Sequence, residues 1–427
     1  MLQKISYLKP GVIICLLIML FGSYLRLALP HDIPLRTPDE AAYTFYSQVL
    51  VKHGVAGSRA SVAKFANTEQ FWLYPSPLRL GYLYLISGIM HLTDSNGPSN
   101  GVTISKLFSI LNLLLLCLFG IDFFGKRVTA VALLLFSVSP MDLAITVHVW
   151  QDGVVLFFST LCIYSVARII FRPHHWVHYA VLLSAGLMLT LTKESGLTLY
   201  CIPVFLSMFY MIRHPETRKH FIPLALITVG ICGLAFFIIL WHAGSLEMLN
   251  EAWAARTSTL SEKGTPVSLR PYIWIHFAED FFNTSPISFC LAGLGIVAAI
   301  YKRNALWIGL ILCAAIYIGL IGLILEVSNL RLISPAYIPY YLLCGYGFYV
   351  LSNQAKKLSA ALPIILIALL GMGAMGNYWN HQITYSIHNI GDILHPYIRE
   401  LSIYRNGYHD CMDNPKCHVR VSKPPTT

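Results

Sequence analysis

Leu78-Arg79-Leu80-Gly81-Tyr82-Leu83-Tyr84-Leu85-Ile86-Ser87-Gly88-Ile89-Met90-His91-Leu92 is apolar and bounded by Pro75 and Pro77. It is shorter than the roughly 20 apolar residues that a membrane-crossing helix needs. Longer apolar runs surround it, at about 11–29, 103–122, 128–146, 153–171, 176–192, 196–212, 221–241, 285–301, 305–325, 332–351 and 358–378. Whether 78–92 crosses sets the side on which every later loop lies. If it does not cross, Lys126–Arg127, Arg168 with Arg172, Arg213 with Arg218 and Lys219, Lys302–Arg303 and Lys356–Lys357 all share the side of the N-terminus. If it crosses, each of those clusters moves outside, against the tendency of basic residues to stay cytoplasmic. The stretch is therefore predicted to be an interfacial or re-entrant helix in a bundle of about eleven spans, with the N-terminus inside and the C-terminus outside.

Composition sets the same class. The 427 residues are 56% hydrophobic and 12% charged, with a mean hydropathy of +0.62, whereas soluble domains carry roughly 25% charged residues. So little charge cannot solvate a globule of this size, which predicts an all-α polytopic membrane protein. The net charge of +10 fits basic cytoplasmic loops, and no nucleic-acid signature competes with that reading. Gly11 to Leu29 follows Lys4 and Lys9, lacks a small-residue cleavage site, and is expected to stay as the first span. Eight of the ten cysteines lie in apolar runs; Cys411 and Cys417 lie in a polar tail and could pair if that tail is extracytoplasmic.

The expected organisation is one transmembrane unit over residues 1–379, with long outer loops at about 30–102 and 243–284, and a short outer tail over 380–427. The second loop carries an amphipathic stretch from Leu246 to Thr257. The residues able to do chemistry fall on the outer side. Arg36-Thr37-Pro38-Asp39-Glu40-Ala41-Ala42-Tyr43 sets two adjacent carboxylates just outside the first span. They suit the first turn of a helix, and equally a general base that takes a proton from an attacking hydroxyl or amine. Asp152 stands between long apolar runs, where a carboxylate must be solvated, paired or used. His148 would share its face only if the helix continued, and two residues do not make a metal site. Lys193 and Glu194 interrupt another apolar run and could pair with each other, or Lys193 could face a phosphate. Arg331 is a further cation at an outer span end. Cations that hold an anionic leaving group, beside a carboxylate that activates a nucleophile, form a coherent set.

These elements, in this order, resemble polyprenyl-phosphate-sugar-dependent glycosyltransferases of the GT-C fold, in the branch of protein O-mannosyltransferases and lipid A aminoarabinose transferases. The motifs are Asp39-Glu40 with Tyr43, then Tyr74-Pro75-x-Pro77-Leu78, then the turn Phe124 to Arg127. Ser139-Pro140, Asp152, Thr192-Lys193-Glu194-x-Gly196, and Arg331 before Pro335 and Pro339 follow. The resemblance implies Asp39 as catalytic base, with Glu40 and Asp152 in the catalytic group, and Arg36, Arg79, Lys193 and Arg331 on the carrier phosphate. Relatives usually have Lys in the Pro-Pro-Leu segment; Ser76 and Arg79 stand there here, and Arg79 is the substitute candidate.

The expected activity is inverting transfer of a hexosyl or pentosyl group from a polyprenyl-phosphate-sugar donor. Plausible acceptors are an O-antigen, a lipid A or other lipopolysaccharide glycolipid, or a protein. The expected place is the inner membrane, with the active site periplasmic and membrane lipid around it. No cofactor is certain, and a divalent metal stays open. The alternative is a transporter or lipid flippase, which would show internal repeats and charges at mid-membrane; neither is apparent.

Overall fold

The computed structural model describes residues 10–28, 38–72, 74–172, 176–262, 275, 277–278, 281–282, 285–324, 330–359 and 361–385. Arg36, the Cys411 and Cys417 pair and nearly all of the tail expected over 380–427 lie outside the described residues. All regular structure among the described residues is helical. The helices are α1 (Pro10–Ala28), α2 (Pro38–Asn67), α3 (Leu80–Thr93), α4 (Ser99–Phe123), α5 (Lys126–Ser137), α6 (Pro140–Thr146), α7 (Asp152–Phe171), α8 (Val177–Thr192), α9 (Gly196–Arg213), α10 (Phe221–Ala243), α11 (Leu246–Glu262), α12 (Pro286–Tyr301), α13 (Ala305–Ile324), α14 (Tyr337–Leu358) and α15 (Leu362–Tyr385).

Each predicted span falls on a helix, with differences in length and continuity. Among the described residues, six helices are long and apolar enough to cross a membrane: Pro10–Ala28, Ser99–Phe123, Asp152–Phe171, Gly196–Arg213, Pro215–Ala243 and Ala305–Gly322. Val177–Thr192, Pro286–Tyr301 and Leu362–Asn377 are shorter apolar helices. In Pro10–Ala28 and Pro215–Ala243 only 17% of the apolar window is buried, which leaves those faces for lipid. The run at 128–146, expected to be one span, is broken. α5 and α6 meet at 57°, because Pro140 has no N–H to continue the ladder and Ser139 caps the new helix by accepting from the Asp142 amide. At the break, the carbonyls of Phe136 and Ser137 accept hydrogen bonds from Arg26 of α1, and that of Phe136 also accepts from the Ser139 amide. The run at 332–351 also starts late. Leu330–Ala336 is a 3-10 segment with Pro335 inside it, and the α-helix begins at Tyr337.

α3 confirms the expectation of a short helix in the first loop. It starts beside α2, where Arg79 meets Tyr43, and Ser87 donates to the Ser47 carbonyl further along. It ends where Asn100, at the start of α4, binds the Thr93 hydroxyl and the Ser95 carbonyl. Ser105, five residues on and about 7.5 Å along the helix, donates to the His148 carbonyl. Both ends of α3 thus lie near one end of the bundle. Gly81 lets α3 press on the end of α8: a Cβ there would lie 2.6 Å from Thr192 Oγ1 and 3.0 Å from the Met188 carbonyl. α2 bends at Gly54, whose φ of 56° suits glycine. Its second half packs Val62, Phe65 and Ala66 on Ala252 and Ala255 of α11, so α2 and α11 support each other.

Candidate active site

The N-terminal ends of α2, α3 and α7 converge on one open cavity. Helix N-termini carry partial positive charge and unpaired N–H groups, which favours anions there. α2 brings Asp39 and Tyr43, the start of α3 brings Arg79, and α7 brings Asp152. The α8–α9 turn brings Lys193, and the 3-10 segment before α14 brings Arg331. Residues almost 300 positions apart in the chain meet here: Arg331 lies 2.9 Å from Asp39.

The pairing differs from the local expectation. Lys193 and Glu194 do not pair with each other. Lys193 Nζ lies 3.2 Å from Asp152 Oδ1, while Glu194 accepts from Arg79 Nε at 2.9 and 3.0 Å and lies 3.8 Å from Arg256. The cause is backbone direction: Lys193 is the extended residue after α8 and Ser195 turns the chain into α9, so neighbouring side chains diverge. Arg331 also lies 3.9 Å from Asp152 Oδ2, and its guanidinium rests 4.6 Å from the centroid of the Trp150 ring. Arg79 donates to the Tyr43 hydroxyl as well.

Burial works against the charge on most of these groups, and their partners decide the outcome. Burial pushes the Lys193 ammonium below the ordinary lysine value, with Arg79 and Arg331 adding to the shift and Asp152 opposing it. Burial opposes the Glu194 charge, yet Arg79 and Arg256 outweigh it and hold the carboxyl down to about 2. Burial also lowers Arg256, with Arg79 reinforcing and Glu194 resisting. Four cations thus face three carboxylates around a space open to solvent. An anion entering the cavity finds cations already desolvated and held in place.

Asp39, Asp152, Arg79, Lys193 and Arg331, singled out from sequence, all line this cavity. Glu40 does not. It is 2% exposed, and its Oε1 lies 3.0 Å from His148 Nδ1 and accepts from the Val149 amide at 3.1 Å. His148 is not on a continued helix with Asp152; it sits in the turn between α6 and α7 and stacks on Trp150. Arg256 was not anticipated. Its helix was visible as an amphipathic stretch, but an arginine in a polar loop carries no local mark of its partner. Among the described residues, no three His, Cys, Asp or Glu side chains gather as ligands for a metal ion.

Residues 77–241 match the family described as dolichyl-phosphate-mannose-protein mannosyltransferase. No curated protein sequence matches the chain closely. Among solved structures, ArnT from Cupriavidus metallidurans in the apo state superposes with a TM-score of 0.58 at 15% identity, covering 94% of this chain and 68% of ArnT. ArnT bound to undecaprenyl phosphate gives 0.55 at 13% identity, covering 93% and 75%. The Archaeoglobus fulgidus oligosaccharyltransferase, in complex with Zn and sulfate, gives 0.57 at 13% identity over 97% of this chain. This chain spans only 57% of that enzyme's length. The chain is thus a multi-pass membrane protein with the fold of the GT-C glycosyltransferases, and its segment 77–241, which supplies Arg79, Asp152 and Lys193, matches the dolichyl-phosphate-mannose-protein mannosyltransferase family.

Proposed function

We propose that this protein transfers a sugar from a polyprenyl-phosphate carrier to an acceptor in the cell envelope, with inversion at the anomeric carbon. The observation that carries the reading is the cavity in which Asp39 stands beside Arg331, Lys193, Arg79 and Arg256. The acceptor oxygen or nitrogen attacks the anomeric carbon while the bond to the carrier phosphate breaks. The bonding pair leaves on the phosphate oxygen, and the acceptor proton passes to Asp39. The cations stabilise the charge that develops on the phosphate, which is where binding energy accelerates the reaction. Asp152 holds Lys193 and Arg331 toward that phosphate.

A lipid-linked donor suits an open site at the ends of apolar helices, and the ArnT structure with undecaprenyl phosphate is a related fold holding such a carrier. The cavity is read as facing the periplasm, because the basic clusters lie at the helix ends away from it. The acceptor is read as a lipopolysaccharide or O-antigen sugar, lipid A or a protein hydroxyl. The test supplies membranes containing the protein with polyprenyl-phosphate sugars labelled in the sugar. Label should pass to an envelope acceptor with the opposite anomeric configuration, and Asp39→Asn should slow that transfer by orders of magnitude. Retained configuration would remove the inverting mechanism, and full activity in Asp39→Asn would remove the base assignment.

A further inference from the structure

We infer that Glu40 and His148 are positioning residues that act through Trp150 on Arg331, and so set how tightly the carrier phosphate is held. The inference rests on the reading of the cavity as a carrier-phosphate site. The contacts form a closed circuit. Asp39 and Glu40 are neighbours in the first turn of α2. Glu40 Oε1 lies 3.0 Å from His148 Nδ1 and accepts from the Val149 amide. The His148 ring stacks on the Trp150 ring at 4.2 Å between centroids and 13° between planes. The Arg331 guanidinium lies 4.6 Å from the centroid of the same indole ring. Arg331 then returns to Asp39 at 2.9 Å.

The turn that carries the two rings is also held from α4. Ser105 donates to the carbonyls of His148 and Trp150. Gly101 lets Val149 seat against α4, since a Cβ at Gly101 would lie 2.3 Å from a Val149 methyl. The imidazole and indole are therefore fixed before any ligand arrives. Arginine has a long, rotamer-rich side chain, and stacking on a fixed aromatic face limits where its planar head can go. Preorganisation of this kind raises affinity by reducing the freedom lost on binding. It also explains why Glu40, adjacent to the proposed base, points away from the cavity: its carboxylate ties the base-bearing helix to the turn that supports the phosphate cation.

The test is equilibrium binding of tritiated undecaprenyl phosphate to the full-length protein in detergent micelles. His148→Gln keeps a hydrogen bond to Glu40 and loses the ring stack; it should weaken binding roughly 2- to 12-fold, the range of an aromatic ring pair. His148→Phe keeps the stack and loses the hydrogen bond, and should weaken binding less. In an Arg331→Ala background His148→Gln should add no further loss, because the two residues act in series. A purely structural histidine would give independent, additive losses, and that result would overturn the inference. Binding unchanged in His148→Gln while Arg331→Ala weakens it would also overturn it and leave the cavity reading standing. If Arg331→Ala binds undecaprenyl phosphate as well as the wild type, the cavity reading and this inference fall together.

Discussion

Arg26–Asp142 and Arg331–Asp39 are both arginine–aspartate pairs at breaks between helices, in opposite surroundings. The first is fully enclosed, with both side chains at 0% exposure and 2.5 Å apart. Its guanidinium also bonds Ser109 and the carbonyls of Gly22, Phe136 and Ser137. The second lines a cavity, with side chains 15% and 28% exposed. An enclosed pair closes the gap where α5 and α6 part and ties both to α1 and α4. An accessible pair can exchange one partner for a ligand's phosphate. The same two residue types thus serve architecture in one place and chemistry in the other, and solvent access makes the difference.

The sharpest way to break that comparison is to remove one carboxylate from each pair. Asp39→Asn should lower sugar transfer by roughly 10²- to 10⁴-fold, the usual weight of a general base, with the thermal midpoint in detergent unchanged. Asp142→Ala should do the reverse. Leaving Arg26 charged and buried costs about 3–5 kcal/mol of stability, read as a large drop in midpoint, while transfer per folded molecule persists. The double change Arg26→Met with Asp142→Leu should recover most of that loss, because replacing both partners of a buried pair with apolar groups is often neutral. Asp142→Ala at wild-type stability would mean that the enclosed pair is not architectural.

The cavity also differs from the enclosed pair in its response to pH. Lys193 holds its proton less firmly than an ordinary lysine because it is buried beside Arg79 and Arg331. The charged form binds phosphate, so affinity for undecaprenyl phosphate should be full at lower pH and decline as pH rises through that lowered value. Lys193→Arg should move the decline upward, because a guanidinium stays protonated; an unchanged alkaline limb would remove Lys193 from the phosphate contacts. Arg256→Ala should have a smaller effect, raising the donor KM a few-fold, since this cation is shared with Glu194 at 3.8 Å. Smallest of all, replacing the exposed Lys356 and Lys357 with Ala should alter stability by no more than about 0.5 kcal/mol.

Most of the helices were legible because a span is a local property: about 20 apolar residues in a row announce themselves. The 57° break between α5 and α6 is not legible in hydropathy, which ignores Pro140 when apolar residues flank it. The cavity residues were partly legible for the opposite reason. Asp39, Asp152, Lys193 and Arg331 each stood as a charge beside an apolar run, which is costly without a use or a partner. Arg256 and the Glu40–His148 contact had no such mark. Arg26 and Asp142 were also placed in apolar runs, yet drew no functional reading, and their pairing has no trace in spacing.

The sequence by itself determined that this is a helical membrane protein, where its apolar helices fall, and which isolated charges need an explanation. Those follow from the transfer energy of residues close together in the chain. Only the tertiary structure decided who pairs with whom: Lys193 with Asp152 rather than Glu194, Glu194 with Arg79, Arg331 with Asp39, and Glu40 with His148. Partnership between charges is set by distance in space and by burial. Both arise when helices separated by tens or hundreds of residues pack together, and no window along the chain contains that information.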